Sequence, residues 1–386
     1  MKFRGYKRPD GKIGIRNKVL ILPTCSCASE TCRIIAQQIE GAVNIINQDG
    51  CAEVKGNEEI TQEVLSGFAA NPNVYGTILI GLGCENNSVE SMKKIILSKT
   101  NKPLETLVIQ EEGGTINTIN KAIKLARKMV EEASLIKKEE YPISELTLGI
   151  ECGGSDSTSG LAANPVVGKL SDFIIDNGGS TIMSETTEFI GAEHILARRG
   201  INKEVQQKII QICKDLEEHL ARVNQDLRTG QPTPGNKEGG LSTIEEKSLG
   251  CIYKGGTRPI VEVIDYAKLP SKKGAIVMDT PGYDIASVSA MIAGGCQIIA
   301  FTTGRGTPTG HALAPVVKIT GNKETFNKMF DNMDIDVSDV ILGKTSIEEA
   351  SKNLFNEILE ICNGKKTKAE IFGFSDIAIN RICKYI

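Results

Sequence analysis

Four cysteines stand where a parallel sheet presents its ligands. Cys27, Cys51, Cys84 and Cys152 each lie within five residues after the end of a predicted strand. In an open parallel sheet, ligands bind beyond the carboxyl ends of the strands, so these thiols are expected at one edge. Thiolates gathered in this way suit iron or an iron–sulfur cluster, and the chain has no C-x-x-C pair of the zinc-ribbon kind. The alternative is that each cysteine is a small buried hydrophobe.

A second group of residues has the chemistry for proton transfer. Glu185 ends a predicted strand in 183-MSETTEFIGAEHIL-196, and Glu193 and His194 lie near the middle of the helix predicted to follow. The chain has three histidines, so a histidine beside carboxylates is a candidate general base or metal ligand. The alternative is an ordinary polar helix surface, which is what we expect around His219.

Two turns are suited to binding an anion. The turn 302-TTGRGTPTGH-311 combines glycines and hydroxyl groups with Arg305, which can bind a carboxylate through two parallel hydrogen bonds. The turn 234-PGNKEGGLST-243 offers Lys237. Neither carries a P-loop ending or the three spaced glycines of a dinucleotide site, so the sequence argues against ATP and NAD. The alternative is that both turns are surface loops.

Length and composition limit the classes of function. The 386 residues predict two or three domains, and a net charge of -3 with dispersed Lys and Arg argues against a nucleic-acid partner. The first residues are basic rather than apolar, and no apolar run approaches the roughly 18 residues of a membrane helix. We therefore expect a cytoplasmic protein with no membrane partner and with reduced cysteines.

Short apolar strands alternate with helices in the first third of the chain. Strands are predicted at 18–24, 43–47, 74–82 and 104–110, and helices at 28–40, 58–70, 88–98 and 115–133. This alternation predicts a doubly wound parallel α/β sheet, in a domain that we place at residues 1–138. Before it, residues 5–17 read as a surface hairpin or a functional segment.

A charged, proline-containing segment at 136–144 is predicted to be a linker to a second α/β domain at 145–386. Predicted strands there are 146–151, 180–184, 274–279, 297–302 and 316–320, and predicted helices are 166–175, 203–228, 287–293 and 346–362. Residues 229–256 are rich in Gly, Pro and Lys, and we expect a loop that is either disordered or functional. Cys251, like Cys213, is interpreted as a packing residue.

The motifs taken together resemble the altronate/galactarate dehydratase family, which includes the large subunit of sulfolactate sulfo-lyase. The resemblance covers nearly the whole chain, and it is carried by 5-GYKRPDGKIGIRN-17, 81-GLGCENN-87, 110-QEEGGT-115, 152-CGGSDSTSGLAANP-165, 184-SETTEFIGAEHIL-196, 234-PGNKEGGLSTIEEKSLG-250, 255-GGTRP-259, 279-DTPGYD-284 and 302-TTGRG-306.

This resemblance implies an iron-dependent lyase acting on a 2-hydroxy acid. Fe(II) is the implied metal, with Mn(II) as a substitute or an iron–sulfur cluster as an alternative. The substrate is open between a sugar acid such as altronate, which loses water, and sulfolactate, which loses sulfite; a non-catalytic metal scaffold is a third alternative. Full-length members similar to this chain carry a small N-terminal β-clip domain, so the resemblance also implies a separate small subunit and a homo- or hetero-oligomer.

The resemblance also implies roles for individual residues within the family motifs. The expected metal ligands are Cys84 and Cys152, then Cys27 and Cys51. The expected substrate and catalytic residues are Arg305 and Lys237 for the carboxylate, Ser155, Asn236 and Thr303 as further contacts, and His194 or Glu185 for proton transfer. Two departures bear on the substrate: Asn47 and Gln48 stand where the family carries a histidine, and no Lys-Pro pair stands near His311.

Overall fold

The first part of the chain builds a four-stranded parallel sheet beside a small antiparallel one. The computed structural model describes residues 1–383. The elements of this part are β1 (Lys2–Lys7), β2 (Ile13–Gly14), β3 (Lys18–Pro23), α1 (Ser26–Ala36), β4 (Ala42–Asn44), α2 (Lys55–Ala70), β5 (Val74–Gly81), α3 (Val89–Lys99), β6 (Leu104–Val108), α4 (Thr115–Ser134) and β7 (Glu139–Pro142).

The parallel sheet has the strand order β4-β3-β5-β6 and is covered on both faces. Helices α1 and α4 pack together on one side, and α2 and α3 pack together on the other. Strand β3 is buried almost throughout because its continuous apolar run 19-VLIL-22 must face a helix layer on each side. The predicted α/β fold with a doubly wound parallel sheet is confirmed.

The second part of the chain builds a larger parallel sheet. Its elements are β8 (Thr147–Cys152), α5 (Asn164–Asp176), β9 (Ser180–Met183), α6 (Glu193–Ala197), α7 (Lys203–Arg222), α8 (Pro234–Glu238), α9 (Ile244–Ile252), β10 (Ile260–Ile264), β11 (Ala275–Met278), α10 (Asp284–Ala293), β12 (Ile298–Thr302), β13 (Val316–Thr320), α11 (Lys323–Lys328), β14 (Ile335–Asp336), α12 (Ile347–Asn363) and α13 (Lys368–Phe372).

All neighbouring strands of this second sheet run parallel, in the order β10-β11-β9-β8-β12-β13-β14. Helices α5 and α12 cover one face, and α10 covers the other. The predicted α/β architecture of this part is confirmed, although β10 and β14 were not predicted. Within residues 1–383, no helix has both the length and the apolar character needed to cross a bilayer.

Two segments differ from their predictions. The linker prediction for 136–144 is wrong for Glu139–Pro142, which pair antiparallel with β1. Their charged side chains do not show the alternating pattern of a strand, and the partner strand lies at the start of the chain. The local sequence therefore does not predict this pairing. The hairpin at 5–17 is present, with Tyr6 opposite Gly14. The domain limits 1–138 and 145–386 stay a prediction.

One hydrophobic core joins the two parallel sheets. Helix α2 from the first part packs against α10 from the second, and their apolar side chains belong to one buried cluster. The fully buried Asn73 bridges this junction. Its Oδ1 accepts from the amides of Ile15 and Arg16 at 2.9 and 3.2 Å. Its Nδ2 donates to the carbonyls of Gln297 and Leu313 at 2.8 and 3.0 Å.

Asn73→Ala is therefore expected to lower the free energy of unfolding by about 3 kcal/mol, because two buried amides and two buried carbonyls lose their partner at once. Urea unfolding followed by circular dichroism measures this change. The matched control is Asn356→Ala, at an exposed position of α12, which should shift stability by no more than about 0.5 kcal/mol. Equal stability of the two variants would show that the hydrogen bonds of Asn73 do not contribute to the free energy of unfolding.

Candidate functional site

Exposed cysteines follow the carboxyl ends of β3, β4 and β5. We name the surface formed by the first turn of α1, with Cys27, and by the loops of Cys51 and Cys84 the thiol edge. Backbone hydrogen bonds hold these loops together: the Ser26 amide donates to the Asp49 carbonyl at 3.1 Å, and the Asn87 amide donates to the Gly50 carbonyl at 3.2 Å. The order of the sheet thus brings three cysteines that are distant in sequence to one end of the molecule.

Exposure separates these cysteines from the others. Seven of the eleven cysteines are buried, as is usual for free thiols, and the exposed ones are Cys27, Cys51, Cys84 and Cys383. Cys383 also lies at this end, where its Sγ accepts from Nδ2 of Asn57 at 3.3 Å. Packing of the core does not explain why these exposed thiols lie together at one end of the fold.

Cys152 lies elsewhere, in a buried group of ionisable side chains at the carboxyl edge of the second sheet. We name this group the acid–lysine cluster; its members are Glu151, Cys152, Glu185, Glu188, Lys247, Cys251, Lys254 and Asp284. Strands β8 and β9 end at its carboxylates, α9 supplies Lys247 and Cys251, and α10 begins with Asp284. Neighbouring parallel strands of one sheet, and the segments that follow them, therefore bring four carboxyl groups to one place.

Two lysines hold the cluster together. The ammonium of Lys254 contacts Glu185 and lies 3.3 Å from Glu188, and that of Lys247 lies 2.9 Å from Glu188. Burial alone would lower the pKa of Lys254, but the two carboxyl groups outweigh it and raise that pKa well above its usual value. Burial opposes ionisation of Glu188 as well, yet Lys247 and Lys254 lower its pKa. This carboxylate and both ammonium groups are charged near neutral pH.

The two thiols of the cluster are neighbours with opposite tendencies. The sulfur atoms of Cys152 and Cys251 are 3.9 Å apart, and Ser155 Oγ lies 3.2 Å from Cys152 Sγ. The hydrogen bond from Cys251 lowers the pKa of Cys152 to about 6 against the effect of burial. The same contact, together with burial, raises the pKa of Cys251. Cys152 is thus the thiolate of the pair.

The pKa values of the remaining acids are raised. Burial raises the pKa of Glu151 to about 8, and burial together with Glu151 and Glu188 raises that of Glu185 well above its usual range. Burial and then Glu188 raise the pKa of Asp284 to about 7.

Glu185 also has a strained backbone. Its φ of 74° is left-handed, which is rare for a residue with a side chain. The Glu185 amide donates to Thr280 Oγ1 at 2.7 Å, and its Oε2 accepts from the Cys152 amide at 2.8 Å. Such strain persists where surrounding contacts fix it, and it is frequent at functional sites.

The anion-binding candidates converge on the turn that follows Cys152. The Gly154 carbonyl accepts from the amide of Arg305 at 3.1 Å and from Thr303 Oγ1 at 3.2 Å. Asn236 Nδ2 donates to the Ser155 carbonyl at 3.0 Å. A side chain at Gly153 would lie 2.9 Å from Asp284 Oδ2, so this turn approaches the carboxyl group of Asp284 closely.

The structure thus brings together only part of the predicted set. Ser155, Asn236, Thr303 and Arg305 lie around one turn, beside a cluster that holds Glu185 and Cys152. Lys237 is exposed on α8, and His194 is exposed at the second position of α6 rather than in mid-helix. No group of three metal-binding side chains within 4.8 Å, among residues 1–383, combines Cys152 with Cys27, Cys51 or Cys84.

Several cluster members were not predicted from the sequence. Residues 229–256, expected as a loop, form α8 and α9 and supply Lys247, Cys251 and Lys254. Lys247 and Cys251 are four residues apart and share one helix face, which is a signal the sequence did contain. Cys251, interpreted as packing, is buried but contacts Cys152.

The proton on Asp284 gives a testable dependence of stability on pH. In the folded protein its pKa is about 7, and in the unfolded chain it is near 4. Stability from this group is complete below pH 4 and is lost as the pH rises through 7. The free energy of unfolding of the wild type, relative to Asp284→Asn, should therefore fall by about 2 to 4 kcal/mol between pH 4 and pH 8. Urea unfolding at several pH values measures it. Asp331→Asn, at an exposed position, is the matched control, and a flat difference for Asp284→Asn would show that its carboxyl group is an ordinary, ionised one.

Two models of protein families match this chain. A model described as D-galactarate/altronate dehydratase, C-terminal, matches residues 143–384, and one described as D-galactarate dehydratase/altronate hydrolase, second domain, matches residues 5–134.

Individual relatives agree with these matches. The altronate dehydratase of Bacillus subtilis is 34% identical over 387 residues, or 98% of this chain and 77% of that protein. That of Escherichia coli is 32% identical over 384 residues, or 97% and 76%. The (2R)-sulfolactate sulfo-lyase subunit beta of Chromohalobacter salexigens is 34% identical over 384 residues, or 98% and 97%. The chain belongs to the D-galactarate/altronate dehydratase family, as its motifs predicted, and is an enzyme of the hydro-lyase type.

Proposed function

We propose that this enzyme removes water from a sugar acid, with altronate as the first candidate, and yields a 2-keto-3-deoxy acid. Two relatives named altronate dehydratase support this choice. The observation that carries it is the position of Asp284, a carboxyl group with a pKa of about 7 beside the Gly153–Gly154 turn. Elimination begins with removal of a weakly acidic proton next to a carboxylate, and a base that titrates near the working pH is suited to that step.

Asp284 is the proposed proton acceptor because it lies at the outer side of the acid–lysine cluster. It is half-buried, whereas Glu151, Glu185 and Lys254 are enclosed. The enclosed residues then act as positioning groups that hold the charges behind it. Tyr283, its neighbour in the chain, lines a cleft of about 250 Å³ together with Asn47, Gln48 and other residues. A polyhydroxy acid has polar partners there.

Arg305 is the proposed partner of the substrate carboxylate. Its guanidinium donates to Glu238 at 2.9 Å, and both side chains are largely exposed, at 46% and 69%. An exposed ion pair contributes little to stability, so a substrate carboxylate can replace Glu238 at small cost. The backbone of Arg305 is fixed on the Gly154 carbonyl, which places the guanidinium beside the turn that Asp284 approaches.

The iron implied by the family resemblance fits one of the two groups. In the acid–lysine cluster, Glu151, Glu185 and Asp284 offer oxygens within 4.8 Å of one another, and Oε1 of Glu151 and of Glu185 has no hydrogen-bond partner among the described residues. The ammonium groups of Lys254 and Lys247 already lie against Glu185 and Glu188, however, and their positive charges oppose a dication in the same cluster. Iron does not fit there.

The thiol edge fits iron better because its donors are soft and accessible. We propose that Cys27, Cys51 and Cys84 hold the metal, and that Cys152 does not. When bound, iron supplies Lewis-acid stabilisation of the negative charge that develops on the substrate.

A second candidate function is the release of sulfite from sulfolactate. It is favoured by the match to a sulfolactate sulfo-lyase subunit along 97% of that subunit's length. The word subunit in that relative's name also supports our proposal that a small second chain assembles with this one.

The protein, purified together with any partner it retains, should release keto acid from altronate and no sulfite from sulfolactate. Asp284→Asn should lower kcat by about 10² to 10⁴-fold with a smaller effect on KM, since an amide cannot accept the proton. Asp331→Asn is the control. Sulfite release without keto acid from altronate selects the second function, and an unchanged kcat in Asp284→Asn removes this residue from proton transfer.

Arg305→Met should raise KM for altronate by about tenfold to a hundredfold, because a charged hydrogen bond to the substrate is lost. The control is Arg258→Met, which removes another exposed arginine, paired with Asp176. Steady-state kinetics of both variants measure the effect. If the two variants behave alike, the carboxylate is bound elsewhere.

A further inference from the structure

The side chains of Cys152 and Cys251 contact each other although they are 99 residues apart in the chain. Their sulfur atoms are 3.9 Å apart, and each side chain is about 1% exposed. Cys152 ends β8 and Cys251 lies near the end of α9, so this contact joins the second sheet to the segment that carries both lysines of the acid–lysine cluster. Neither thiol takes part in the proposed proton transfer.

Polar side chains hold the sulfur of Cys152 in this position. Ser155 Oγ lies 3.2 Å from it, and Asn164 Nδ2 donates to it at 3.8 Å. The same amide nitrogen of Asn164 donates to the carbonyl of Gly250 at 3.0 Å, which fixes the backbone directly before Cys251. The two sulfur atoms are therefore held side by side by contacts other than their own.

A cavity of about 260 Å³ reaches this pair of thiols. Its wall includes Cys251, Ser155 and Asn164, and it also includes Leu161, whose side chain is exposed to solvent. The cavity thus connects the solvent with the side chains that contact the sulfur of Cys152. A small neutral oxidant such as hydrogen peroxide, which is scarcely larger than water, has room to enter it.

We propose that hydrogen peroxide converts Cys152 and Cys251 into a disulfide, and that this bond switches the enzyme off until a thiol reductant breaks it. The thiolate of Cys152 attacks one peroxide oxygen, the O–O bond breaks, hydroxide leaves, and Cys152 becomes a sulfenic acid. The thiol of Cys251 then attacks that sulfur, which forms the S–S bond and releases water. The two sulfur atoms lose two electrons, and the peroxide is reduced to one hydroxide ion and one water molecule.

The bond disturbs the charged contacts on either side of Cys251. A disulfide is about 2.05 Å long, so the sulfur atoms must approach each other by about 2 Å. Lys247 lies one helical turn before Cys251 and Lys254 lies three residues after it, and their ammonium groups hold Glu188 and Glu185. Misplacement of groups in an active site by about 1 Å can lower the rate about a hundredfold. This effect on activity rests on the proposed function, whereas formation of the bond does not.

The test exposes the reduced, purified protein to hydrogen peroxide, blocks the remaining thiols and identifies tryptic peptides by mass spectrometry. Trypsin cleaves after Lys247 and Lys254, so Cys251 is the only cysteine of its peptide. In most wild-type molecules this peptide should be joined to the one that contains Cys152. Activity, measured on altronate or on sulfolactate, should fall at least about tenfold and should return with dithiothreitol and no added iron.

Two variants sharpen the test, and circular dichroism establishes that both are folded. In Cys251→Ser the bond cannot form, so peroxide should carry Cys152 on to a sulfinic acid, and dithiothreitol should restore no activity. Cys362→Ser is the matched control: it removes another buried thiol, whose pKa burial raises to about 12, and it should form the same cross-link as the wild type.

Three results would overturn the inference: no cross-link between Cys152 and Cys251 in the wild type, a cross-link that leaves activity unchanged, or a loss of activity that only ferrous iron reverses. The proposed function fails separately. A cross-linked protein that in its reduced form turns over neither acid leaves the disulfide standing and rejects that function, whereas an active enzyme without the cross-link does the reverse.

Discussion

The buried contact of Lys254 with Glu185 and Glu188 is the interaction on which the second sheet's edge depends. An ammonium group with no solvent around it is stable only beside anions, and removing one partner of a buried pair leaves an uncompensated charge that costs about 3 to 5 kcal/mol. Each partner comes from a different element, since Glu185 follows β9 and Lys254 follows α9. The ends of the strands and the segment 229–256 are therefore held in one arrangement by charge as well as by apolar packing.

That arrangement restricts the backbone around it. Glu185 must adopt a left-handed conformation to direct its carboxyl group to both Lys254 and the Cys152 amide. The turn at Gly153 must lack a side chain, because a Cβ would lie 2.6 Å from the ring of Phe301 and 2.9 Å from Asp284. These local costs are borne beside carboxyl groups whose pKa values are raised by burial, next to the turn that holds Arg305.

The sequence predicted the fold better than the site, for a physical reason. Runs such as 18-KVLILPT-24 and 74-VYGTILIGL-82 are apolar on both faces, which favours a buried parallel strand over other structures. The sequence therefore predicted nearly all strands of the two parallel sheets. The strand β7 and the contacts of Lys254 depend on partners far away in the chain, and no local pattern encodes them. The ends of the predicted strands indicated where candidate site residues lie, but they did not show that Cys84 and Cys152 lie at the strand ends of different sheets.

The division into two sheets also separates two kinds of chemistry. Exposed thiol groups lie at the edge of the first sheet, and carboxyl groups with raised pKa values lie at the edge of the second. A thiolate-held metal and a buried ammonium–carboxylate network would disturb each other's charge balance if they shared one cavity. Their distance is set by the packing of α2 on α10 and by Asn71 and Asn73, which bond to backbone carbonyls across the junction. Buried amides with all their hydrogen bonds made fix the relative position of the two sheets more specifically than apolar contacts alone do, because a shift of either sheet would leave buried polar groups without partners.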